Sequence, residues 1–154
     1  MKNQTTQNAE RLADLTLGLV SCCQSKQEEI AARAHLSLSE FKCLRAFRHD
    51  NEMSVKDIAH RMSLTSSRLT RIIDGLVEKC YVTRHIDSVD RRIINVRLTS
   101  LGENIANKVT SDCTHVYEQA LGIIPVAQHR AIIDAVTELS DAMRIKTNFI
   151  MKYE

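Results

Sequence analysis

Hydrophobic positions between residues 54 and 98 follow two different periods, and the change of period predicts the local architecture. Apolar residues recur at helical spacing in two successive segments, separated by a tight Ser-Leu-Thr turn at residues 63–65. The two stripes are Val55, Ile58, Ala59 and Met62, and then Leu69, Ile72, Ile73, Leu76 and Val77. Segments 81–86 and 93–98 are instead rich in β-branched residues and approximate a period of two, which predicts a hairpin. Two helices, a turn and a hairpin are the order of a winged helix-turn-helix, an arrangement that reads DNA.

The start and the outer face of the second helix indicate how it would be used. Thr65 or Ser66 is its natural N-cap, because a side-chain oxygen there accepts a hydrogen bond from a free amide of the first turn. The outer face carries Ser67, Arg71, Asp74 and Glu78, flanked by Arg68, Thr70 and Gly75. Since the N-terminal half offers hydroxyl and guanidinium groups, we predict that it faces base edges in the major groove. An ordinary amphipathic surface helix with solvated charges is the alternative.

The two predicted strands are joined by a charged loop at residues 87–92, with the sequence DSVDRR. Arg91 and Arg92 lie at or near the tip of this loop, where the available partners are solvent or a polyanion. Arginine suits a narrow A·T-rich minor groove, in which the negative potential is enhanced. The loop is therefore a candidate minor-groove reader.

Residues 57–102 resemble the winged helix of the multiple antibiotic resistance regulator (MarR) family of bacterial transcription factors. The signature consists of Asp90, Arg91, Arg92, Leu98, Thr99 and Gly102. The resemblance covers the whole length, with a long helix before the motif and two after it. It implies a homodimer in which each protomer places a recognition helix in the major groove and a wing arginine in the minor groove.

The same resemblance implies roles for individual residues. Arg92 would be the inserted arginine, and Asp90 the carboxylate that orients it. The remaining DNA-binding candidates are Ser67, Arg68, Thr70 and Arg71 for the major groove, and Arg91 with Thr65 or Ser66 for the phosphates. The family further implies a repressor that responds to a small-molecule effector, often aromatic or phenolic.

One position departs from the family pattern. The recognition helix usually ends at a glycine in the left-handed conformation, and this chain has Cys80 at that place. A residue with a side chain costs on the order of 1 kcal/mol there. Either the helix ends differently or the cost is tolerated.

Further helical stripes flank the predicted winged helix-turn-helix, which spans about residues 36–98. The first, over residues 7–34, has its apolar positions at Leu12, Leu15, Leu19, Cys22 or Cys23, Ile30 and Ala34. The next helix begins near Thr99 or Ser100, where Ser100 and Glu103 fit a capping box, and Gly122 and Pro125 would break it. The last helix starts near Val126 and carries Ile132, Ile133, Val136, Leu139, Met143 and Ile150.

The final stripe is too long for a small winged domain to cover, which favours burial against a second copy of the chain. Packing within the monomer is the alternative. We therefore predict one mainly α domain with a small β hairpin (α+β) over residues 1–154, a winged helix-turn-helix with dimerisation helices at about 7–34 and 100–152. Two recognition helices in a symmetric dimer require a pseudo-palindromic operator.

Composition supports a folded domain and charge supports the DNA prediction. The chain has 154 residues, of which 44% are hydrophobic and 26% charged, with a net charge of only +2. Residues 54–97 nevertheless contain nine Lys/Arg and five Asp/Glu, so the positive excess lies in the segment assigned to DNA. No apolar run is typical of a signal peptide or long enough to span a bilayer, which predicts a cytoplasmic protein without a membrane partner.

Other kinds of chemistry find little support. Five cysteines without CxxC spacing and six scattered histidines argue against a metal site, and no catalytic motif is present, so we expect neither an enzyme nor a cofactor. Most cysteines are expected to be small buried hydrophobes. Two alternatives remain: a redox-sensing regulator of the same fold that uses Cys22 or Cys23, and a winged-helix protein-interaction module without DNA binding.

Overall fold

The computed structural model describes residues 3–48 and 50–144. Its elements are α1 (Gln4–Arg33), α2 (Leu38–Phe47), β1 (Glu52–Ser54), α3 (Val55–Met62), α4 (Ser66–Glu78), β2 (Val82–Ile86), β3 (Ile94–Leu98), α5 (Ser100–Ile123) and α6 (Val126–Arg144). The predicted fold class is confirmed: the structure is mainly helical with a small antiparallel sheet. Two compact units can be distinguished, residues 1–114 and residues 115–154.

The core of the first unit is formed by the inward stripes of α2, α3 and α4 together with the sheet. Phe47, Ile58, Leu69, Ile73 and Val96 are fully buried there. Full burial of such a side chain contributes about 1.5–3 kcal/mol. The stripe of α4 is narrower than predicted, because Ile72 is half-buried and Val77 is exposed. The helix α4 is therefore held by one narrow face, and the rest of its surface is available.

The sheet has three strands in the order β1-β3-β2, all antiparallel. The predicted hairpin forms β2 and β3, with Val82 opposite Leu98 and Ile86 opposite Ile94. The additional strand, β1, was not predicted, because three residues are too short to show a period. It leads directly into α3, whose cap Ser54 accepts a hydrogen bond from the Asp57 amide at 3.0 Å.

The helix α4 ends in the left-handed conformation although Cys80 replaces the usual glycine. Cys80 adopts a left-handed backbone with φ 59°. Its amide donates to the Val77 carbonyl at 2.8 Å, and the Tyr81 amide donates to the Leu76 carbonyl at 2.9 Å. This is the double hydrogen bond of a Schellman ending. The helix thus ends as it would with glycine, and the chain carries the conformational cost.

The helix α5 begins at Ser100, one of the two predicted starts, but its capping residue differs from the prediction. The hydroxyl of Thr99, rather than that of Ser100, accepts a hydrogen bond from the Gly102 amide at 3.0 Å and also donates to the Cys80 carbonyl at 2.7 Å. The predicted capping box of Ser100 and Glu103 is therefore wrong: Thr99 is placed by the chain that leaves α4. A Cβ at Gly102 would lie 1.9 Å from the Tyr81 carbonyl oxygen, so this close approach requires glycine.

Two apolar surfaces remain exposed in the described chain. Leu12, Leu15 and Leu19 of α1, the predicted dimerisation helix, are exposed, whereas Ile30 and Ala34 are buried. In the second unit, α6 has no buried residue among those described. Its exposed large side chains include Ile132, Ile133, Val136 and Met143, while Ile150 lies outside the described residues.

The side chain of His129 in α6 contacts the main chain at the end of α5 and in the turn that follows. His129 Nε2 lies 3.0 Å from the carbonyl oxygen of Leu121 and 2.9 Å from that of Ile124. Gly122 does not break α5 as predicted, since the helix continues to Ile123 and ends before Pro125. None of the helices in the described ranges is long and apolar enough to cross a membrane.

Candidate nucleic-acid interface

The N-terminal half of α4 presents the predicted polar surface. Ser67, Arg68, Thr70 and Arg71 are all exposed. The N-cap is Thr65, as one of the two predicted choices, but its side chain makes no capping hydrogen bond. Its Oγ1 lies instead 3.3 Å from Oγ of Ser67. The expectation of a side-chain cap is therefore wrong, and the first-turn amides keep their capacity to bind an anion.

Two flanking residues of α4 have roles that the helical pattern did not indicate. The hydroxyl of Thr70 donates to the Ser66 carbonyl at 2.9 Å, so its proton is used within the helix. Gly75 does not flank the outer face, since a Cβ there would lie 2.8 Å from Oε1 of Glu40 in α2. The absence of a side chain at Gly75 lets α4 approach this buried carboxylate.

The wing loop at residues 87–92 is organised by a residue that the sequence analysis did not select. Oδ1 of Asp87 accepts hydrogen bonds from the amides of Val89 at 2.9 Å and Asp90 at 3.0 Å, and Oδ2 accepts one from Nδ2 of Asn95 at 3.1 Å. The Asp90 and Val89 amides hold the pKa of Asp87 below its usual value. An Asx turn of this kind requires the side chain of Asp or Asn. An Asp at the start of a short loop is the sequence signal that could have identified it.

Asp90 contacts Arg92 through the main chain. Its Oδ1 accepts a hydrogen bond from the backbone amide of Arg92 at 2.9 Å. The carboxylate therefore fixes the backbone on which Arg92 is carried. The side chains of Arg91 and Arg92 are exposed, and neither takes part in an ion pair with a described residue.

The wing and the start of α4 meet at one open cleft of about 290 Å³. Ser66 at the beginning of α4 and Arg92 of the wing both line it. So does Lys56, which follows the cap of α3 and was not selected from the sequence. The cleft thus brings two cationic side chains next to an uncapped helix start, an arrangement that suits a phosphate.

Three ion pairs lie at the base of the wing. Glu52 of β1 lies 2.7 Å from Nε2 of His85 in β2 and 2.6 Å from Nη2 of Arg97 in β3. The Arg97 guanidinium has the largest effect and, with help from His85, holds the pKa of Glu52 below its usual value although burial opposes it. Arg84 of β2 pairs with Asp74 of α4 at 2.6 Å. These pairs tie the wing to its neighbours and were not foreseen, because their partners are far apart in sequence.

The cysteines divide into two groups. Cys43 and Cys113 are buried, and burial raises the pKa of Cys43 to about 12. Cys22 and Cys80 are exposed and Cys23 is half-buried, so the expectation that most cysteines are buried is wrong. Within the part of the chain that the structure describes, no group of three His, Cys, Asp or Glu side chains is arranged to hold a metal ion.

Comparison with known proteins shows what this part of the chain is similar to. Residues 36–94 match the model of the MarR family. The HTH-type transcriptional regulator YpoP of Bacillus subtilis is 28% identical over 104 residues, which cover 68% of this chain and 74% of the relative. SarZ of Staphylococcus haemolyticus, another HTH-type transcriptional regulator, is 28% identical over 83 residues, and the alignment covers 54% of this chain and 56% of that protein.

Solved structures share the fold over most of the chain. A MarR family protein from Bacillus stearothermophilus has a TM-score of 0.80 at 18% identity, covering 93% of this chain and 99% of the other. MarR of E. coli in its apo form has a TM-score of 0.69 at 22% identity, covering 84% and 95%. Reduced AbfR bound to DNA has a TM-score of 0.71 at 17% identity, covering 93% and 96%.

Proposed function

We propose that this chain is a MarR-family transcriptional regulator, and that it acts as a ligand-responsive repressor that binds a pseudo-palindromic operator as a homodimer. The observation that carries the proposal is the cleft at which the start of α4 and the wing arginine meet. Arginine and hydroxyl side chains line the exposed N-terminal half of α4, and the wing adds two further exposed arginines. Such a surface combines base-reading groups with cations for the phosphates.

Each DNA-binding residue has a proposed role. Ser67, Arg68, Thr70 and Arg71 read or approach the major groove, and Arg92 enters the minor groove. Asp90 supports Arg92 by holding its main-chain amide. Arg91 contacts phosphates together with Thr65 or Ser66. Lys56 joins this group, because it shares the cleft with Ser66 and Arg92.

Dimerisation explains the apolar surfaces that the single chain leaves exposed. Leu12, Leu15 and Leu19 follow one another at helical spacing along α1, and α6 exposes its own apolar side chains. Contiguous exposed apolar surface of this kind marks an interaction site. A second copy of the chain covers these helices and sets the distance between the two recognition helices. Action on DNA places the protein in the cytoplasm.

A small aromatic effector is part of the proposal. The structural relative NadR was solved in complex with 4-hydroxyphenylacetate and has a TM-score of 0.66 at 19% identity. An effector would act by preferring a dimer geometry whose recognition helices misfit the operator, because a ligand shifts only an equilibrium between states that it binds unequally.

The alternatives differ in what they require of the surface. A protein-interaction module without DNA binding would need a neutral or acidic recognition face, whereas Arg68, Arg71, Arg91 and Arg92 are exposed. A redox-sensing regulator of the same fold would use Cys22 or Cys23, and Cys22 is accessible. Unchanged DNA affinity after stoichiometric peroxide would exclude the redox alternative.

A binding titration tests the proposed function. Duplexes from the upstream region of the protein's own gene are titrated at several salt concentrations with wild type, Arg92→Ala and the control Lys108→Ala. Lys108 is an exposed cation of α5 outside the proposed interface, so its loss matches the change in charge. We expect Arg92→Ala to weaken binding to a near-palindrome by about 1–3 kcal/mol, with salt-dependent affinity and little effect of Lys108→Ala. Binding that does not discriminate between this duplex and random DNA would favour the interaction module.

A further inference from the structure

Arg84 joins the wing to the recognition helix at two points. It lies in the middle of β2, opposite Val96 of β3. Its Nη2 forms an ion pair with Oδ1 of Asp74 at 2.6 Å and donates a hydrogen bond to the main-chain carbonyl of Thr70 at 3.0 Å. Thr70 and Asp74 are one turn apart on α4, so one guanidinium nitrogen contacts groups from two successive turns of the helix.

The stability of the fold gives little reason for this arrangement. The Arg84 side chain is one third exposed and that of Asp74 half exposed, and exposed ion pairs contribute little to folding. Within an α-helix, the Thr70 carbonyl also already faces the amide of the residue four positions on. The location of Arg84 is more informative, since β2 continues from it into the wing loop.

The outer part of the wing has no packed side chains that could orient it. No residue between 83 and 95, all of which the structure describes, is buried. Val82, at the base of β2, is buried, and from there outward the hairpin is held to α4 through Arg84. The contacts of Arg84 with α4 thus set the direction of the wing relative to this helix.

We propose that Arg84 is a positioning residue that fixes the angle between the recognition helix and the wing, so that their contacts with the two grooves of DNA are made cooperatively. This inference rests on the proposed function. Arg84 contacts two successive turns of the recognition helix α4. It also belongs to β2, the strand that leads into the wing. Arg92 is therefore held at a fixed distance from Arg71. When either the recognition helix or the wing binds its groove, the other is already positioned to bind the second groove.

A double-mutant cycle measures this cooperation. Affinities for the operator duplex are determined for wild type, Arg71→Ala, Arg92→Ala and the double variant, and the cycle is repeated in an Arg84→Met background. In the wild-type background we expect the two losses to be non-additive by about fivefold or more in Kd. In the Arg84→Met background we expect them to become additive. Equal coupling in both backgrounds would overturn the proposal.

The chain offers a matched control in Arg97. Like Arg84 it is a strand arginine of the same sheet with a carboxylate partner, but that partner is Glu52 of β1 rather than a residue of α4. An Arg97→Met background removes the same charge and should preserve the coupling. Loss of coupling in both backgrounds would assign the effect to charge or sheet stability, and would contradict a specific role of Arg84.

A second variant separates positioning from neutralisation of Asp74. In Arg84→Met combined with Asp74→Asn, no uncompensated carboxylate faces the DNA. If Arg84 positions the wing, the coupling stays lost in this variant. If Arg84 only neutralises Asp74, the coupling returns and the proposal is wrong.

A measurement without DNA distinguishes a failure of this inference from a failure of the proposed function. Amide residual dipolar couplings of the free protein report whether residues 87–93 share one orientation with α4. We expect a common alignment in wild type and Arg97→Met, and couplings reduced by about half or more in Arg84→Met, because the wing then samples several directions. Full couplings in Arg84→Met would refute the positioning role even if DNA binding is confirmed, and a failure to bind DNA would leave this result unaffected.

Discussion

The ammonium group of Lys79, at the end of α4, lies 2.7 Å from Oε2 of Glu40, near the start of α2. The same oxygen accepts a hydrogen bond from the Ser37 amide at 2.7 Å, and Lys79 also donates to the carbonyl of His35 at 3.0 Å. Glu40 is buried, so its charge is removed from water and balanced by these donors. Lys79 thus joins the end of α4 to the start of α2 through an ion pair, and to the chain after α1 through a hydrogen bond.

Removal of the Lys79 charge should destabilise the fold. Lys79→Met leaves the buried Glu40 carboxylate without its cation, and we expect a loss of about 2–3 kcal/mol in the free energy of unfolding. Urea denaturation followed by circular dichroism measures it. The double variant Lys79→Met with Glu40→Gln should recover more than half of the loss, because no uncompensated charge is then buried. A double variant as unstable as the single one would contradict this explanation.

The same pair predicts how stability depends on pH. Burial raises the pKa of Glu40, but hydrogen bonds from Lys79 and Ser37 outweigh it and keep that pKa below its usual value. In the wild type this carboxylate stabilises the fold above its unfolded pKa, and the contribution is lost as the pH falls through the folded pKa. In Lys79→Met the effect of burial dominates and raises the pKa, so the sign reverses. The difference in unfolding free energy between the two proteins should therefore shrink from about pH 7 to about pH 4, and a constant difference would refute the mechanism.

Gly102 should not tolerate a side chain. In Gly102→Ala the new Cβ would meet the Tyr81 carbonyl oxygen at 1.9 Å, so the backbone between α4 and α5 must move. We expect a loss of at least about 2–3 kcal/mol in the free energy of unfolding, similar to other overpacked sites. Gly122→Ala is the matched control in the same helix, where the space around the glycine is open, and it should stabilise by about 0.5–1 kcal/mol. Thermal unfolding of both variants distinguishes the two effects.

Cys80→Gly should stabilise the protein. Cys80 occupies the left-handed position at the end of α4, where glycine carries no steric cost. The gain should be about 1 kcal/mol, less the entropy that glycine loses on folding. Cys22→Gly, the same substitution inside α1, should instead destabilise by about 1 kcal/mol. Equal effects at both positions would show that the left-handed conformation is not the cause.

Asp87 should be needed for a well-formed wing rather than for the fold. Asp87→Ala removes the acceptor of two loop amides and of Asn95, so the loop should sample other conformations. We expect DNA affinity to fall by roughly threefold to tenfold with little change in melting temperature. Ser88→Ala, in the same loop, is the control and should bind like wild type. A large drop in melting temperature for Asp87→Ala would place the residue in the fold instead.

Local patterns predicted most of the architecture. The stripes of α3 and α4 and the hairpin are visible in sequence because each buries one face of a regular element. The short strand β1 is not visible, since it is defined by pairing of Met53 with Val96 across more than forty residues. The exposed leucines of α1 show a related limit: a periodic apolar stripe indicates that a face is buried, but not whether the partner is the same chain.

The candidate DNA-binding residues could be chosen by residue type and position, and their roles stay predictions. The residues that arrange them could not be chosen in this way. Gly75 was placed on the outer face because a helical wheel does not show that a buried Glu40 carboxylate lies against it. Arg84 and Lys56 are single surface cations in sequence, and only the fold brings them beside Asp74 and Arg92.

The outer wing carries no buried side chain, and Val89 near its tip is 94% exposed. Substitutions there are not constrained by core packing, whereas α4 must keep its inward face to remain folded. During divergence of such proteins, the wing can accumulate changes one at a time without a loss of folding, and target preference can drift through it first. The recognition helix changes under stricter selection, because one of its faces is also part of the core.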